Sequence, residues 1–158
     1  LNQYGTYSTA QIACAMPYRY LPDIATADVA FEAWGETREE MFCAAADALT
    51  NVMVDDLASV TPTEEIVISL ANEELDLLLF SFLQELIFLK DARCLLLRVP
   101  RVMITETEEV LHLDAIARGE RIDNERHPMM VDVKAVTLHL FSVWRQENDW
   151  WARVVLDI

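Results

Sequence analysis

The closing stretch Val131–Ile158, VDVKAVTLHLFSVWRQENDWWARVVLDI, decides the fold of this chain. Two runs rich in β-branched and aromatic residues flank the polar segment Arg145–Asp149, a pattern that predicts an antiparallel hairpin. Side chains alternate between the two faces of such a hairpin, so Trp150 and Trp151 point in opposite directions. One indole belongs to the core, and the other covers a neighbouring element or contacts a partner. The second arm ends with Asp157 beside the α-carboxylate, and we expect this pair of anionic groups near a cation or fully solvated.

Upstream of this hairpin, the sequence predicts strands interrupted by two helices. Alternating residues indicate a strand within Tyr18–Trp34. The capping box Thr37-Arg38-Glu39-Glu40 then begins a helix that runs to about Val54. A short strand over Glu65–Leu70 follows a polar connection, and we expect Asn72 to cap the second helix.

The second helix, over Glu73–Leu89, is apolar on nearly every side, so we expect it to be central and covered on two sides. Two further strands, Leu95–Ile104 and Val110–Ala117, flank an acidic turn. A polar loop over Gly119–Met130 leads into the closing hairpin. The predicted order is therefore β-α-β-α-β-β-β-β, an α+β fold with two helices packed against antiparallel or mixed β-sheets.

Composition limits the classes of function. The 158 residues are 53% hydrophobic, enough for one sizeable core, yet no run of about 18 apolar residues would span a membrane. The net charge of −15 opposes the approach of nucleic-acid backbones, so we expect no direct nucleic-acid partner. Between Glu36 and Asp76, eleven acidic residues stand against one arginine, a balance that favours a basic partner or metal ions.

The cellular compartment and the chain organisation also follow from the sequence. Three widely spaced cysteines fit a reducing cytoplasm and argue against a disulfide framework or a structural zinc site. The N-terminal residues lack the charged and apolar regions of a secretory signal peptide. We interpret residues 1–15 as a translated leader or an added extension, with Met16 as a candidate native start. Residues 16–158 are then a single cytoplasmic domain.

Motifs of the common enzyme classes are absent from the sequence. It contains no GxSxG, P-loop, GxGxxG or HExxH pattern, and its three glycines are too few for a phosphate-cradling loop. The spacings of His112, His127 and His139 match no compact metal signature, so we expect them to be structural or surface residues. The sequence therefore favours a protein that is not an enzyme.

Five segments, taken in order, are similar to the archease family. They are Asp23–Val29 (DIATADV), Ala33–Thr37 (AWGET), the Glu73–Leu89 helix with its ending QELIFL, Val133–His139 (VKAVTLH) and Trp151–Ile158 (WARVVLDI). The resemblance runs from about residue 18 to residue 158 and leaves only the leader uncovered. The set is specific because all five segments occur in the same order.

The resemblance implies a small non-enzymatic protein cofactor that activates the RtcB-type RNA ligase of tRNA splicing and RNA repair. Members of the family promote guanylylation of the ligase and its multiple turnover. The resemblance also implies a divalent-metal site, usually described with calcium, at Asp28, Asp157 and Ile158; Mg²⁺ and Mn²⁺ suit the same oxygen ligands. The functional lysine of the family falls on Lys134.

The residues themselves support this site in part. Asp28 and Asp157 lie at the ends of two predicted strands, and neighbouring strands are about 4.8 Å apart, close enough for two carboxylates to share a hard cation. The pattern alone favours solvated acids at strand ends, whereas the resemblance favours the metal site. Lys134 has two interpretations: it lies at the metal site or partner interface, or it forms an ordinary ion pair with Asp132 or a neighbouring strand.

One departure from the family pattern falls on Ala25, where members commonly have a histidine before Thr-Ala-Asp. If that histidine supports the metal from outside its ligand set, its absence weakens metal affinity by about 10–100-fold. If it contacts the ligase, the partner or its chemistry differs here. Two other functions stay open, a metal-dependent hydrolase of phosphoesters that uses metal-bound water and a general chaperone-like binding module.

Overall fold

The computed structural model describes residues 17–24 and 28–158. The predicted leader, residues 1–15, and the departure at Ala25 lie outside the described residues, and the single-domain interpretation stays a prediction. The elements in chain order are β1 (Tyr18–Tyr20), β2 (Val29–Gly35), α1 (Arg38–Met53), a 3₁₀ turn (Leu57–Ser59), β3 (Glu64–Asn72), α2 (Leu75–Arg93), β4 (Leu95–Thr107), β5 (Val110–Arg121), β6 (Ala135–Gln146) and β7 (Asp149–Asp157). The predicted α+β class and order are confirmed, with the short strand β1 as an addition.

Within residues 17–24 and 28–158, two antiparallel sheets enclose helices α1 and α2. The larger sheet has the strand order β1-β2-β7-β6 and the smaller one β3-β5-β4. Helix α1 packs against β2 on one side and β4 on the other, and α2 packs against β6 and against all three strands of the smaller sheet. The helices therefore form the middle layer, and each sheet turns one face towards them and one face away. This arrangement confirms the central position predicted for α2 and explains its apolar surface on nearly every side.

The start of α1 follows the predicted capping box. The Glu40 amide donates to Thr37 Oγ1 over 3.1 Å, and Glu40 Oε2 accepts from the Glu36 amide over 3.0 Å. The reciprocal bond thus reaches one residue further back than the simplest form of the motif. Gly35 precedes this cap, and a Cβ there would lie 2.6 Å from Glu40 Cβ. Glycine therefore lets β2 end directly against the helix.

The start of α2 differs from the prediction. Strand β3 continues through Asn72, which pairs with Leu111, and the residue before the helix is Glu74. The Asn72 side chain accepts from the Glu74 amide over 3.0 Å, so it stabilises the turn into the helix rather than the helix end. Pairing with β5 extends the strand beyond the point that local pattern indicates.

The two hairpins also have shorter turns than predicted. Glu108 and Glu109 have φ values of 50° and 66°, which allow a two-residue connection, so β4 extends through Thr107 into the stretch assigned to an acidic turn. In the closing hairpin, the register shifts between Thr137 and Ser142, and Leu140 has a φ of 55°. The alternation predicted for the first arm therefore fails at this bulge.

Within the described residues, no helix is long and apolar enough to cross a membrane.

Candidate functional site

The candidate site lies where the ends of β2 and β7 meet. Val29 pairs with Leu156, Asp28 directly precedes Val29, and Asp157 directly follows Leu156. Two acids separated by more than a hundred positions in sequence therefore adjoin the same cross-strand pair. Neighbouring strands are about 4.8 Å apart, so the two residues lie at the same end of the sheet on adjacent strands.

Lys134 lies on the other side of Asp157. Its amide donates to the Asp157 carbonyl over 2.8 Å, just before Ala135 pairs with Asp157 as β6 begins. Asp28 is half-buried, whereas Asp157 and Lys134 are exposed. The structure thus brings all four sequence-predicted residues to one end of the larger sheet, on or beside three adjacent strands, since Ile158 directly follows Asp157.

The register also determines which face these residues occupy. Val154 and Leu156 of β7 are fully buried in the core, whereas Val155 is buried outside the core cluster, on the face turned away from the helices. By the two-residue period, Asp157 shares the face of Val155. The hydrocarbon side chain of Ile158 packs against the core and has no ligand atom, so only backbone oxygens of this residue can serve as ligands.

The possible metal ligands at this site are all oxygen atoms. The described ranges contain no group of three or more His, Cys, Asp or Glu side chains that could hold a metal ion. A site here would therefore combine the two side-chain carboxylates of Asp28 and Asp157 with backbone oxygen of Ile158. Such a donor set has the chemistry that Ca²⁺, Mg²⁺ and Mn²⁺ prefer. Metal binding itself stays a prediction.

His127, one of the three histidines that we expected to be structural or surface residues, has a structural role in the described fold. Its ring is fully buried, Nδ1 accepts from the Asp123 amide over 3.0 Å, and Nε2 lies 3.1 Å from Glu120 Oε2. Nε2 therefore carries the proton and donates to the carboxylate. The Thr61 amide and Arg126 also donate to Glu120, and these bonds outweigh burial and lower its pKa to about 2. The cluster fixes the loop before β6.

Lys90 is a site-supporting residue that the sequence analysis missed. It lies in the last turn of α2, only 5% exposed, and its Nζ contacts Asp132 Oδ1 at 2.6 Å and the Val133 carbonyl at 2.7 Å. Asp91 lies 2.6 Å from the same amine. Burial lowers the pKa of Lys90, but the hydrogen bonds from its ammonium to Asp132 and Asp91 outweigh it, so the pKa is raised and the amine stays charged.

Gln84, from the same helix, contacts the same segment, and we call Lys90 and Gln84 together the clamp. Gln84 Oε1 accepts from the Val136 amide over 2.6 Å, two residues beyond Lys134. Lys90 and Gln84 thus hold both flanks of Lys134. Asp132 pairs with Lys90 rather than with Lys134, which forms no ion pair with any residue in the described ranges. No local signal in the sequence indicates this role, because Lys90 lies in the last turn of the helix beside Asp91 and Arg93, where basic residues are common.

Comparison with known proteins identifies the family. The model of the archease protein family matches residues 18–158. The chain belongs to the archease family. A relative named protein archease, from Methanopyrus kandleri, is 37% identical over 133 residues, which are 84% of this chain and 94% of the relative.

Two solved structures agree with the fold of this archease-family chain. The solution structure of protein 1598 from Methanobacterium thermoautotrophicum is 35% identical, with a TM-score of 0.80, and the match covers 90% of this chain and 99% of that one. A crystal structure from Thermotoga maritima, described as an archease and possible chaperone, is 23% identical with a TM-score of 0.58; it covers 87% and 96% of the two chains and shows the fold alone. The resemblance seen in the sequence is therefore confirmed at the level of family and fold.

Proposed function

We propose that this archease-family chain is a metal-binding, non-catalytic protein cofactor that activates an RtcB-type RNA ligase in cytoplasmic tRNA splicing or RNA repair. It promotes guanylylation of the ligase and its multiple turnover. The observation that carries the proposal is the convergence of Asp28, Asp157 and Lys134 at one end of the larger sheet. Residues that are remote in sequence meet there in an arrangement that core packing alone does not require.

A divalent cation fits the anionic part of this site. The carboxylates of Asp28 and Asp157, with backbone oxygen of Ile158, would hold it, because hard cations prefer carboxylate and carbonyl oxygens. The bound ion would neutralise the repulsion among these groups and tie the ends of β2 and β7 together. Ca²⁺ takes 6–8 oxygen ligands, roughly, so some positions would remain for water or for groups of the partner. A metal ion with free ligand positions can bind groups of a partner protein at this surface.

Lys134 supplies the partner contact in this proposal. Its side chain is exposed, it has no carboxylate partner among the described residues, and its backbone is fixed by bonds on both sides. A positioned ammonium group loses little conformational freedom when it binds an acidic group of the ligase. The chain's role is therefore to present charges in a fixed geometry and to favour the nucleotide-loaded ligase.

Substitutions that keep the size of the side chain test the roles of Asp28, Asp157 and Lys134 with little disturbance of the fold. We expect Asp28→Asn and Asp157→Asn to weaken Ca²⁺ binding, measured by calorimetry, by at least about tenfold, because each removes a charged oxygen ligand. The same variants, together with Lys134→Gln, are expected to lose stimulation of ligase guanylylation and of turnover at substoichiometric ligase. Glu106→Gln, an exposed acid on the other sheet, is the matched control. Full stimulation by folded Asp28 and Asp157 variants would refute the proposed roles.

A chaperone-like function is the second candidate, because several large apolar side chains are exposed. Val67 is 70% exposed, Leu138 63%, and Phe88 and Met130 59% each. Exposed apolar side chains bind unfolded chains where they form a contiguous patch. Suppression of citrate synthase aggregation that is independent of Ca²⁺ and of Asp157, with no effect on the ligase, would favour this function.

A further inference from the structure

The outward face of the larger sheet carries a stack of three tryptophans. Trp34 pairs with Trp151 across β2 and β7, and Trp144 pairs with Trp151 across β6 and β7. The Trp34 and Trp151 ring centroids are 4.8 Å apart with planes at 26°, and those of Trp151 and Trp144 are 6.1 Å apart with planes at 17°. The three rings are half-buried. Trp151 is thus the indole on the outward face, while the indole of Trp150 packs against the core.

Two arginines lie over these rings. The guanidinium carbon of Arg19 is 6.0 Å from the Trp34 centroid and 5.6 Å from that of Trp151, and the guanidinium carbon of Arg153 is 5.7 Å from the Trp144 centroid. These distances allow cation–π attraction. We call the set Arg19, Trp34, Trp144, Trp151 and Arg153 the arginine–tryptophan face.

A buried glutamate holds both arginines in place. Glu32 is 4% exposed, with Arg19 Nη2 2.7 Å from Oε1 and Arg153 Nη2 2.9 Å from Oε2. Burial raises the pKa of Glu32, but the bonds from the two arginines outweigh it and lower the pKa overall. Glu32 accepts from Nε and Nη2 of each arginine, so the Nη1 donors are not used by this carboxylate. The Arg19 side chain remains 61% exposed.

The balance of charge on this face differs from that of the chain. Two guanidinium groups against one carboxylate leave one net positive charge, while the whole chain carries −15. The face therefore complements a local acidic group. A long nucleic-acid strand would experience the whole negative field of the chain, whereas a short acidic segment on a folded protein would experience mainly the local charge.

The composition of the face is typical of protein interfaces. Tryptophan and arginine are enriched among the residues that contribute most to binding energy, and side chains that are fixed beforehand lose little entropy on association. The helices pack on the opposite side of the sheet, so they do not cover these rings. Asp157 and Arg153 share one face of β7 and are four residues apart, which corresponds to about 13 Å. A partner surface of ordinary size, about 800 Å², covers both the candidate site and the arginine–tryptophan face.

We propose that the arginine–tryptophan face is a docking surface for an acidic segment of the protein partner, adjacent to the Asp28/Asp157 site. This inference rests on the proposed function, because the partner is the same RNA ligase. The Asp28/Asp157 end carries the activating contacts, and the arginine–tryptophan face contributes affinity by binding carboxylates beside aromatic rings.

The test measures binding of the full chain to the ligase and, separately, to a synthetic acidic probe. For the ligase, we expect Arg19→Gln and Trp144→Leu each to raise Kd by about 10–100-fold without changing the Ca²⁺ affinity. Arg19→Lys keeps the charge but loses the planar stacking, so an intermediate Kd is expected. Arg118→Gln is the matched control, because it removes a half-exposed arginine that pairs with Glu65 on the other sheet.

The synthetic probe separates failure of this inference from failure of the proposed function. A twelve-residue peptide of alternating Glu and Tyr is expected to shift the indole N–H signals of Trp34, Trp144 and Trp151, less at high salt and less in Arg19→Gln. Absence of these shifts, or equal shifts in the folded Arg19→Gln variant, would overturn the docking surface even if the ligase is stimulated. Shifts caused by a single-stranded oligouridylate but not by the peptide would overturn it as well. If the peptide binds as expected and the ligase does not, the surface stands and the ligase assignment fails.

Discussion

Replacement of Lys90 by methionine tests whether the buried amine stabilises the segment that carries Lys134. The substitution keeps an unbranched side chain of similar length but removes the contacts to Asp132, Asp91 and the Val133 carbonyl. The side chains of Asp132 and Asp91 are 74% and 56% exposed, so water solvates them after the change. Because both carboxylates are exposed, each ion pair with Lys90 contributes about 0–1 kcal/mol.

The buried hydrogen bond to the Val133 carbonyl accounts for most of the stability that Lys90→Met loses. The bond from Lys90 to the Val133 carbonyl is buried, and a buried carbonyl that loses its donor costs about 1–3 kcal/mol. Relief of the desolvated charge offsets part of the loss. We therefore expect Lys90→Met to lower the free energy of unfolding by about 2 kcal/mol, which for a chain of this size lowers Tm by about 4–8 °C.

The assay measures the free energy of unfolding in urea for the parent chain, Lys90→Met, Asp132→Asn and the double variant. Asp132→Asn alone is expected to cost less than about 1 kcal/mol, and its coupling to Lys90→Met is expected to be of similar size. Lys134→Met, an exposed lysine in the same segment, is the control and should change stability by no more than about 0.5 kcal/mol. Unchanged stability of Lys90→Met would refute the clamp. A loss in Asp132→Asn equal to that in Lys90→Met would assign the effect to the ion pair instead of the carbonyl.

Two further predictions concern parts of the fold away from the site. Glu120 has a pKa of about 2 in the folded chain against an ordinary 4.5, so its contribution to stability is present above the ordinary value and is lost as the pH falls towards 2. Urea midpoints of the parent chain and Glu120→Gln should therefore converge between about pH 5 and pH 2, and a pH-independent difference would contradict this account. A Cβ at Gly119 would lie 1.8 Å from the Leu96 carbonyl oxygen, a backbone atom of the paired strand, so Gly119→Ala is expected to cost about 3 kcal/mol in the same assay. Near-parental stability would show that β4 can move aside.

Local patterns in the sequence predicted the elements of this fold well where one short-range interaction dominates. The Thr37 cap, the apolar α2 and the closing hairpin each depend on residues within a few positions of one another, and all are present. The family segments also assigned Asp28 and Asp157 to one metal site, and the strand register places the two residues at the same end of adjacent strands, while metal binding stays a prediction. Predictions failed at Asn72 and at the bulge after Thr137, where pairing with a distant strand decides the local backbone.

Only the tertiary structure decided which chemical groups meet. The sequence fixes that Glu32 and Arg153 each lie in a strand, but their ion pair exists because β2 and β7 are neighbours in the sheet. In the sequence, Lys90 is an ordinary basic residue at a helix end. In the fold, the segment before β6 passes that helix end, so Asp132 and the Val133 carbonyl contact the Lys90 amine. Period and propensity act over a few residues, whereas these contacts join groups more than forty positions apart. The sequence thus determined the elements and their apolar faces, and the packing of both sheets around the helices determined which charges lie together.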